Sequence, residues 1–257
     1  MLETVKNQTD FGFRRVDMAD KAPLVAQVFD RVAGRYDLMN DVMSAGVHRL
    51  WKRALVDSLI PRRNMHLLDV AGGTGDIAAR VLDRASGDRN RWGDTHVTLC
   101  DINPAMLFRG RDRMVDHAVT TNVAWVCGDA EHLPVQDGSV DAVTIAFGIR
   151  NITSIDAALR EMRRALRPGG QFLCLEFSHV VLPSLEKIYD AYSFHVIPTL
   201  GGLIARDRDA YTYLVESVRR FPDQSSFADM IKAAGFGRVG VRNLSGGIAA
   251  IHSGWRT

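Results

Sequence analysis

Leu67-Leu68-Asp69-Val70-Ala71-Gly72-Gly73-Thr74-Gly75-Asp76 carries the strongest signal in the chain. A short apolar run enters a glycine-rich turn, and the residues after it take up a helical period. Glycines let a backbone come close to a ligand, and a helix N-terminus presents unpaired N–H groups to it. Gly73-Thr74-Gly75 followed by Ala78 also satisfies the loose G-x-G-x-x-G/A pattern of dinucleotide sites. The flanking acids separate the two ligand classes. Asp69 and Asp76 would repel a pyrophosphate, whereas the ammonium of a methionyl group would be attracted. The loop therefore favours S-adenosylmethionine over NAD, with Asp69, Gly72, Gly73, Thr74 and Gly75 as candidate cofactor residues.

Outward from the loop, residues 66–71, 97–101, 123–127, 140–147 and 171–176 form short runs rich in Val, Ile and Leu. They read as strands too apolar to face water on one side. Helical stretches over 76–84, 104–117 and 155–166 alternate with them, and Arg167-Pro168-Gly169-Gly170 stops the last. This alternation predicts right-handed βαβ crossovers and a mostly parallel sheet, an α/β fold. Residues 238–244 and 248–253, joined by Ser245-Gly246-Gly247, read as a terminal strand pair. Further helices are expected over 23–32, 38–59, 185–192, 210–219 and 227–234, and a surface loop over 86–95. The 257 residues thus make one domain. A helical cap (1–64) precedes the cofactor core (65–180), a helical substrate cover (181–235) and the strand pair (236–257).

Composition narrows the function classes. With 32 Lys and Arg against 30 Asp and Glu, the net charge of +2 is too balanced for a nucleic-acid grip. No run approaches the roughly 18 apolar residues of a membrane span. Cys100, Cys127 and Cys174 form no CxxC pair and read as buried thiols, with no metal site. The first residues interleave acids with bases and lack an apolar core, so they predict neither a transit peptide nor a secretory signal.

Asp101 ends the second strand, where an acid can accept both ribose hydroxyls of an adenosine. Asp129 and Ala130 follow the third strand and can reach an adenine edge. Taken singly, each Asp is better explained by a cap or a turn; together at strand ends beside one glycine loop they favour a site.

Two stretches are more specific than the loop: Tyr36-Asp37-Leu38-Met39-Asn40-Asp41-Val42-Met43-Ser44, continuing to His48 and Trp51, and Arg164-Ala165-Leu166-Arg167-Pro168-Gly169-Gly170, continuing to Glu176-Phe177-Ser178. With the glycine loop and Phe147-Gly148-Ile149-Arg150-Asn151, they resemble the ubiquinone/menaquinone biosynthesis C-methyltransferase family over nearly the whole chain. Ala146 departs from the serine common in bacterial members and is kept only as lining. Residues 144–151 look more like the mitochondrial branch.

The resemblance implies a Rossmann-like class I S-adenosylmethionine-dependent methyltransferase with a seven-stranded sheet. Its implied reaction is methyl transfer to a ring carbon of a polyprenylated benzoquinol, 2-methoxy-6-polyprenyl-1,4-benzoquinol, in ubiquinone biosynthesis. Demethylmenaquinol is the alternative acceptor in a bacterial setting, and an inactive structural subunit of a quinone-synthesis complex is the non-enzyme alternative. Implied partners are a second copy of the chain, other ubiquinone-biosynthesis proteins and a membrane surface. The implied location is the matrix face of the mitochondrial inner membrane, or otherwise the bacterial cytoplasm.

A quinol ring carbon becomes nucleophilic when a neighbouring hydroxyl loses its proton. Arg150 is the candidate for stabilising that phenolate or organising a water, since a guanidinium is a poor base; alternatively it pairs with an acid such as Asp129. Asn151 either orients the ring oxygen or caps the next helix. Tyr36 and Asn40, one helical turn apart, either touch the quinol or pack the cap. Tyr192, within an apolar stretch over 182–203, is a candidate for the wall around the prenyl tail. His48, His179 and His195 read as packed or capping residues, and Lys52 and Arg53 as a solvated helix face.

Overall fold

The strand that leads into the glycine loop, β3 (His66–Val70), is buried on both faces beyond the half-buried His66 and lies inside a seven-stranded sheet. The computed structural model describes residues 8–32, 36–116, 122–181, 189, 192–193, 199 and 208–257. Its other sheet strands are β4 (His96–Asp101), β5 (Val123–Cys127), β6 (Val140–Ala146), β7 (Leu166–Phe177), β8 (Gly237–Leu244) and β9 (Ala249–Trp255). The order is β5-β4-β3-β6-β7-β9-β8. β3, β4, β5, β6 and β7 run parallel, and β9 joins β7 antiparallel before pairing antiparallel with β8. The strand order reverses direction at β3, flanked by β4 and β6, and ligands of open α/β sheets sit at the carboxyl ends beside such a point.

The expected helix over 155–166 ends one residue early, as α7 (Ile155–Ala165), because Leu166 turns extended at ψ 140°. Leu166 then pairs with Val140, the chain loops out through Pro168 and Gly169 (φ +75°), and Gln171 resumes pairing with Ala142. The helices on the loop side are α4 (Asp76–Gly87) and α6 (Pro104–Asp116). Residues 86–95 are not a simple surface loop. They hold the short helix α5 (Arg89–Trp92), whose Trp92 is buried, since an indole offers large apolar area even within a polar stretch. β5 is an edge strand, and Ala124 and Cys127 are exposed on it, so Cys127 is not a buried thiol; Cys100 and Cys174 are.

The cap is not purely helical. It opens with a hairpin, β1 (Gln8–Phe11) and β2 (Arg14–Asp17), turning at Gly12 with φ +60°. Phe11 stacks on Tyr213, ring centroids 4.2 Å apart. Helix α1 (Met18–Val32) starts well before the proline expected to open it, and Pro23 lies inside it. The stretch 38–59 is two helices, α2 (Tyr36–Ser44) and α3 (His48–Asp57), parted where Ala45 and Gly46 take positive φ. After the sheet core come α8 (Arg208–Arg220) and α9 (Gln224–Ala233). The expected helix over 185–192 and the tail wall over 182–203 lie outside the described residues, apart from residues 189, 192, 193 and 199. One apolar cluster joins Val25 and Trp51 of the cap to Leu67, Leu99 and Leu175 of the sheet and Tyr211 of α8.

Candidate active site

The glycine loop owes its shape to three close approaches. Ala71, Gly73 and Gly75 have φ of 49°, 54° and 78°, a region side chains rarely adopt. A Cβ on Gly72 would sit 2.7 Å from Leu99 Cγ and 2.9 Å from Asp69 Oδ2. Gly110, on α6, was missed by sequence reasoning, which had no local signal for it. Its Cβ would lie 2.9 Å from the backbone carbon of Thr74 and 2.8 Å from the Trp125 ring. Gly110→Ala is therefore expected to cost about 1–3 kcal/mol of stability and to weaken cofactor binding by displacing the loop. Thermal unfolding and calorimetry check this; unchanged binding would mean the loop yields freely.

The acids around the loop differ in state. Asp69 is buried; Thr144 Oγ1 donates to its Oδ1 at 2.7 Å, and its Oδ2 has no hydrogen-bond partner among the described residues. Burial, only partly opposed by the Thr144 bond, pushes its pKa up to about 7. Asp76 behaves oppositely. Burial pushes it up, but Lys52 and Arg80, each donating at 2.8 Å, outweigh that and bring it to about 2. Lys52 is thus not on a solvated face: it is 4% exposed and neutralises Asp76. The charge presented at the loop comes from Asp69 and Asp101 rather than from Asp69 and Asp76. Asp101 Oδ2 accepts from Gly73 N and its Oδ1 from Asn103 N, both at 2.8 Å, so it braces the loop and leaves further lone pairs open. Its pKa is raised by burial, against those two bonds.

Beyond the strand ends lies a cavity of about 440 Å³. Gly73, Asp101, Asp129, Ala130 and Asn151 line it, and α1 roofs it with Ala19, Ala22, Val25, Ala26 and Phe29. Asp69, Gly72, Thr74 and Gly75 shape the loop from behind without lining the cavity. Ala146 is not on its wall either; the following Phe147 and Gly148 are. The roof is tied down at both ends: Lys21 Nζ donates to Ile152 O at 2.9 Å, and Asn103 Nδ2 to Asp30 Oδ1 at 2.7 Å.

Arg150 is buried, and its acid partner is Glu176, not Asp129. Nη1 donates to Glu176 Oε1 at 2.6 Å and to Phe147 O at 2.8 Å, and the guanidinium lies 5.5 Å from the Phe177 ring centroid. Asp129 instead accepts from Glu131 N at 2.9 Å. Asn151 accepts from Tyr213 OH at 3.0 Å. Asn40 is buried, its Nδ2 without a partner among the described residues, and is not on the cavity wall. Tyr192 donates to Val42 O at 2.5 Å, joining the cover to α2. Tyr36 begins α2, and its side chain lies outside the described residues. His48 is packed against Asp41 at 3.0 Å, and His179 bonds Phe221 O at 2.9 Å; His195 lies outside the described residues. No metal-holding cluster occurs among the described residues.

A cavity with an apolar roof and strand-end acids on its wall, and a buried carboxylate oxygen, unpartnered among the described residues, just behind the glycine turn, suits a nucleoside-bearing cation. Dinucleotides, whose linkage is anionic, fit this charge poorly. The arrangement defines an S-adenosylmethionine-dependent methyltransferase on a Rossmann-like fold. The model of the ubiE/COQ5 methyltransferase family matches residues 16–256, and the chain belongs to that family.

Among its relatives, the ubiquinone/menaquinone biosynthesis C-methyltransferase UbiE of Paracoccus denitrificans is 59% identical over 249 residues, covering 97% of each chain. UbiE of Methylobacterium nodulans is 57% identical over 98% of each. A solved structure from Thermotoga maritima, described as an S-adenosylmethionine-dependent methyltransferase and possible histamine N-methyltransferase, shares the fold. Its TM-score is 0.63 at 18% identity, over 91% of this chain and 100% of that one. The chain is accordingly an S-adenosylmethionine-dependent C-methyltransferase. These two relatives are bacterial, so they give the mitochondrial likeness of residues 144–151 no support.

Proposed function

We propose that the acceptor is a ring carbon of a polyprenylated benzoquinol, 2-methoxy-6-polyprenyl-1,4-benzoquinol. The observation that carries this reading is the near-full-length match to relatives named for ubiquinone/menaquinone biosynthesis. When bound, S-adenosylmethionine supplies an electrophilic methyl group on a sulfonium. Asp101 holds its ribose, Asp129 and Ala130 its adenine edge, and Asp69 its methionyl ammonium, while Gly72, Gly73, Thr74 and Gly75 keep the loop narrow enough for close approach. Ala146 supports that pocket from behind Phe147. Asn151 presents its amide to a ring oxygen. Arg150, whose Nε has no partner among the described residues, orders a water beside it. In this reading Tyr36, Asn40 and Tyr192 meet the acceptor outside the cavity wall, Tyr192 through its bond to Val42 O of α2. The α1 roof excludes solvent, which strengthens each of these polar contacts.

Relatives carrying both quinone names favour a second acceptor, demethylmenaquinol. Turnover of short-chain benzoquinol and naphthoquinol analogues separates the two. The reading expects a higher kcat/KM for the benzoquinol, and preference for the naphthoquinol overturns it. An acceptor with a prenyl tail also requires a bilayer surface. No helix among the described residues is long and apolar enough to cross a membrane, so contact is peripheral in this reading. Flotation with liposomes is expected to carry the protein upward; protein left at the bottom of the gradient contradicts it.

A further inference from the structure

A second cavity, of about 340 Å³, adjoins the first, and Met18, Ile152 and Thr153 line both. Lys21, Arg150 and Tyr213 stand on its wall. Arg150 and Lys21 are both buried cations, but they are not equivalent. The Arg150 charge is matched at 2.6 Å by Glu176, itself buried. Lys21 is 6% exposed, and the one hydrogen bond its ammonium makes among the described residues goes to a neutral carbonyl, Ile152 O, at 2.9 Å. An ammonium has three donors, so two remain. Two acids act on it through space, Asp10 and Glu131, and neither forms an ion pair with it among the described residues; Asp10 Oδ1 is buried without a hydrogen-bond partner among them. Asp10, on β1, lies 3.5 Å from Arg15. Glu131 accepts from Ser154 N at 2.9 Å. Arg220, on α8, lies 5.6 Å from the Phe13 ring centroid, and Asp156, on α7, also lines the cavity. Burial draws the Lys21 pKa below its ordinary value, against the pull of Asp10 and Glu131. A bound anion would reverse that cost.

We propose that Lys21, not Arg150, supplies the positive charge that holds a ring oxygen of the acceptor as its anion, in the cavity beside the cofactor site. This rests on the acceptor reading above. The quinol O–H bond breaks, its proton passes to water, and the electron pair stays on the oxygen and spreads onto the ring. Lys21 keeps its own proton throughout. Arg150 holds the segment from Phe147 to Asn151 in place through its bonds to Glu176 and Phe147 O.

The test uses 4-nitrophenol, whose ionisation is visible by absorbance, bound to the full chain saturated with S-adenosylhomocysteine. In the parent protein and in Lys21→Arg, its bound pKa is expected to fall at least about one unit below that in solution. In Lys21→Met it returns to the solution value. With the benzoquinol acceptor, Lys21→Met is expected to lower kcat at least about tenfold and move the rising limb of its pH profile upward, while S-adenosylmethionine affinity, which Lys21 touches only through its tie to Ile152 O, falls by much less than turnover. A nitrophenol that does not bind the parent protein, or has the same bound pKa in Lys21→Met, overturns the proposal. So does a loss of cofactor affinity in step with turnover, which would make Lys21 merely a tie for α1. If the parent protein shifts nitrophenol yet does not methylate the benzoquinol, the acceptor reading fails and the Lys21 assignment stands.

Discussion

Glu176→Ala is expected to destabilise the protein by about 3–5 kcal/mol, because it leaves the Arg150 guanidinium charged and buried with no counter-ion. Glu176 is 1% exposed; burial pushes its carboxyl up, against the opposing pull of Arg150 and of the Phe177 N–H. Its Oε1 accepts from Arg150 Nη1 at 2.6 Å and from Phe177 N at 2.9 Å, and its Oε2 from Arg150 N at 3.4 Å, so one substitution takes an acceptor from three donors. An exposed pair gives the contrast. Lys232 and Asp229 meet at 2.8 Å with both side chains open to solvent, and Asp229→Ala is expected to cost less than about 1 kcal/mol. Urea unfolding of both variants checks the ranking. A loss for Glu176→Ala as small as that for Asp229→Ala would mean that Arg150 is solvated or re-paired.

Asp69→Asn is expected to change cofactor binding most. The amide oxygen still accepts from Thr144, so packing is kept while the charge is lost. With its pKa raised to about 7, the native Asp69 binds its proton more tightly than the unfolded chain does. Stability without cofactor should therefore fall as pH rises from about 4 to about 7, by up to about 4 kcal/mol, and level off above. The variant loses this slope. Cofactor binding runs the other way, since a cationic methionyl group favours the carboxylate: affinity should rise as pH passes about 7 in the parent protein and stay flat in Asp69→Asn, at least about tenfold weaker at the upper end. Calorimetry over that pH range decides it, and a parallel pH dependence in the two proteins would remove Asp69 from the site.

What the sequence discloses and what it hides follow a physical division. The strand, turn and helix around Gly72–Gly75 are legible because local residues dictate them: an apolar run, glycines where φ is positive, and a helical period behind. Asp101 is legible because a strand end puts it beside the loop. Lys52 and Glu176 are not legible as partners, although Glu176 lies in a stretch marked by resemblance. They act across 24 and 26 residues of chain, and nothing local distinguishes them from ordinary surface charges. The opening hairpin hides for the same reason. It is stabilised by Phe11 on Tyr213 and by Phe13 N donating to Glu216, 203 residues away, while its own strands are four residues each. Trp92 shows the converse: a polar composition around it conceals a buried ring, in a residue whose carbonyl accepts from Asn64 N at 2.8 Å, 28 residues away.

The central claim is that this site places a methyl group on a ring carbon of a benzoquinol. It is tested most directly by supplying S-adenosylmethionine labelled with ¹³C in its methyl group together with a short-chain prenylated methoxybenzoquinol, and reading the product by NMR. The account predicts the label as a methyl on a ring carbon, in a product that Gly110→Ala and Asp69→Asn form more slowly. Label on a ring oxygen, or none in the quinol, would contradict it.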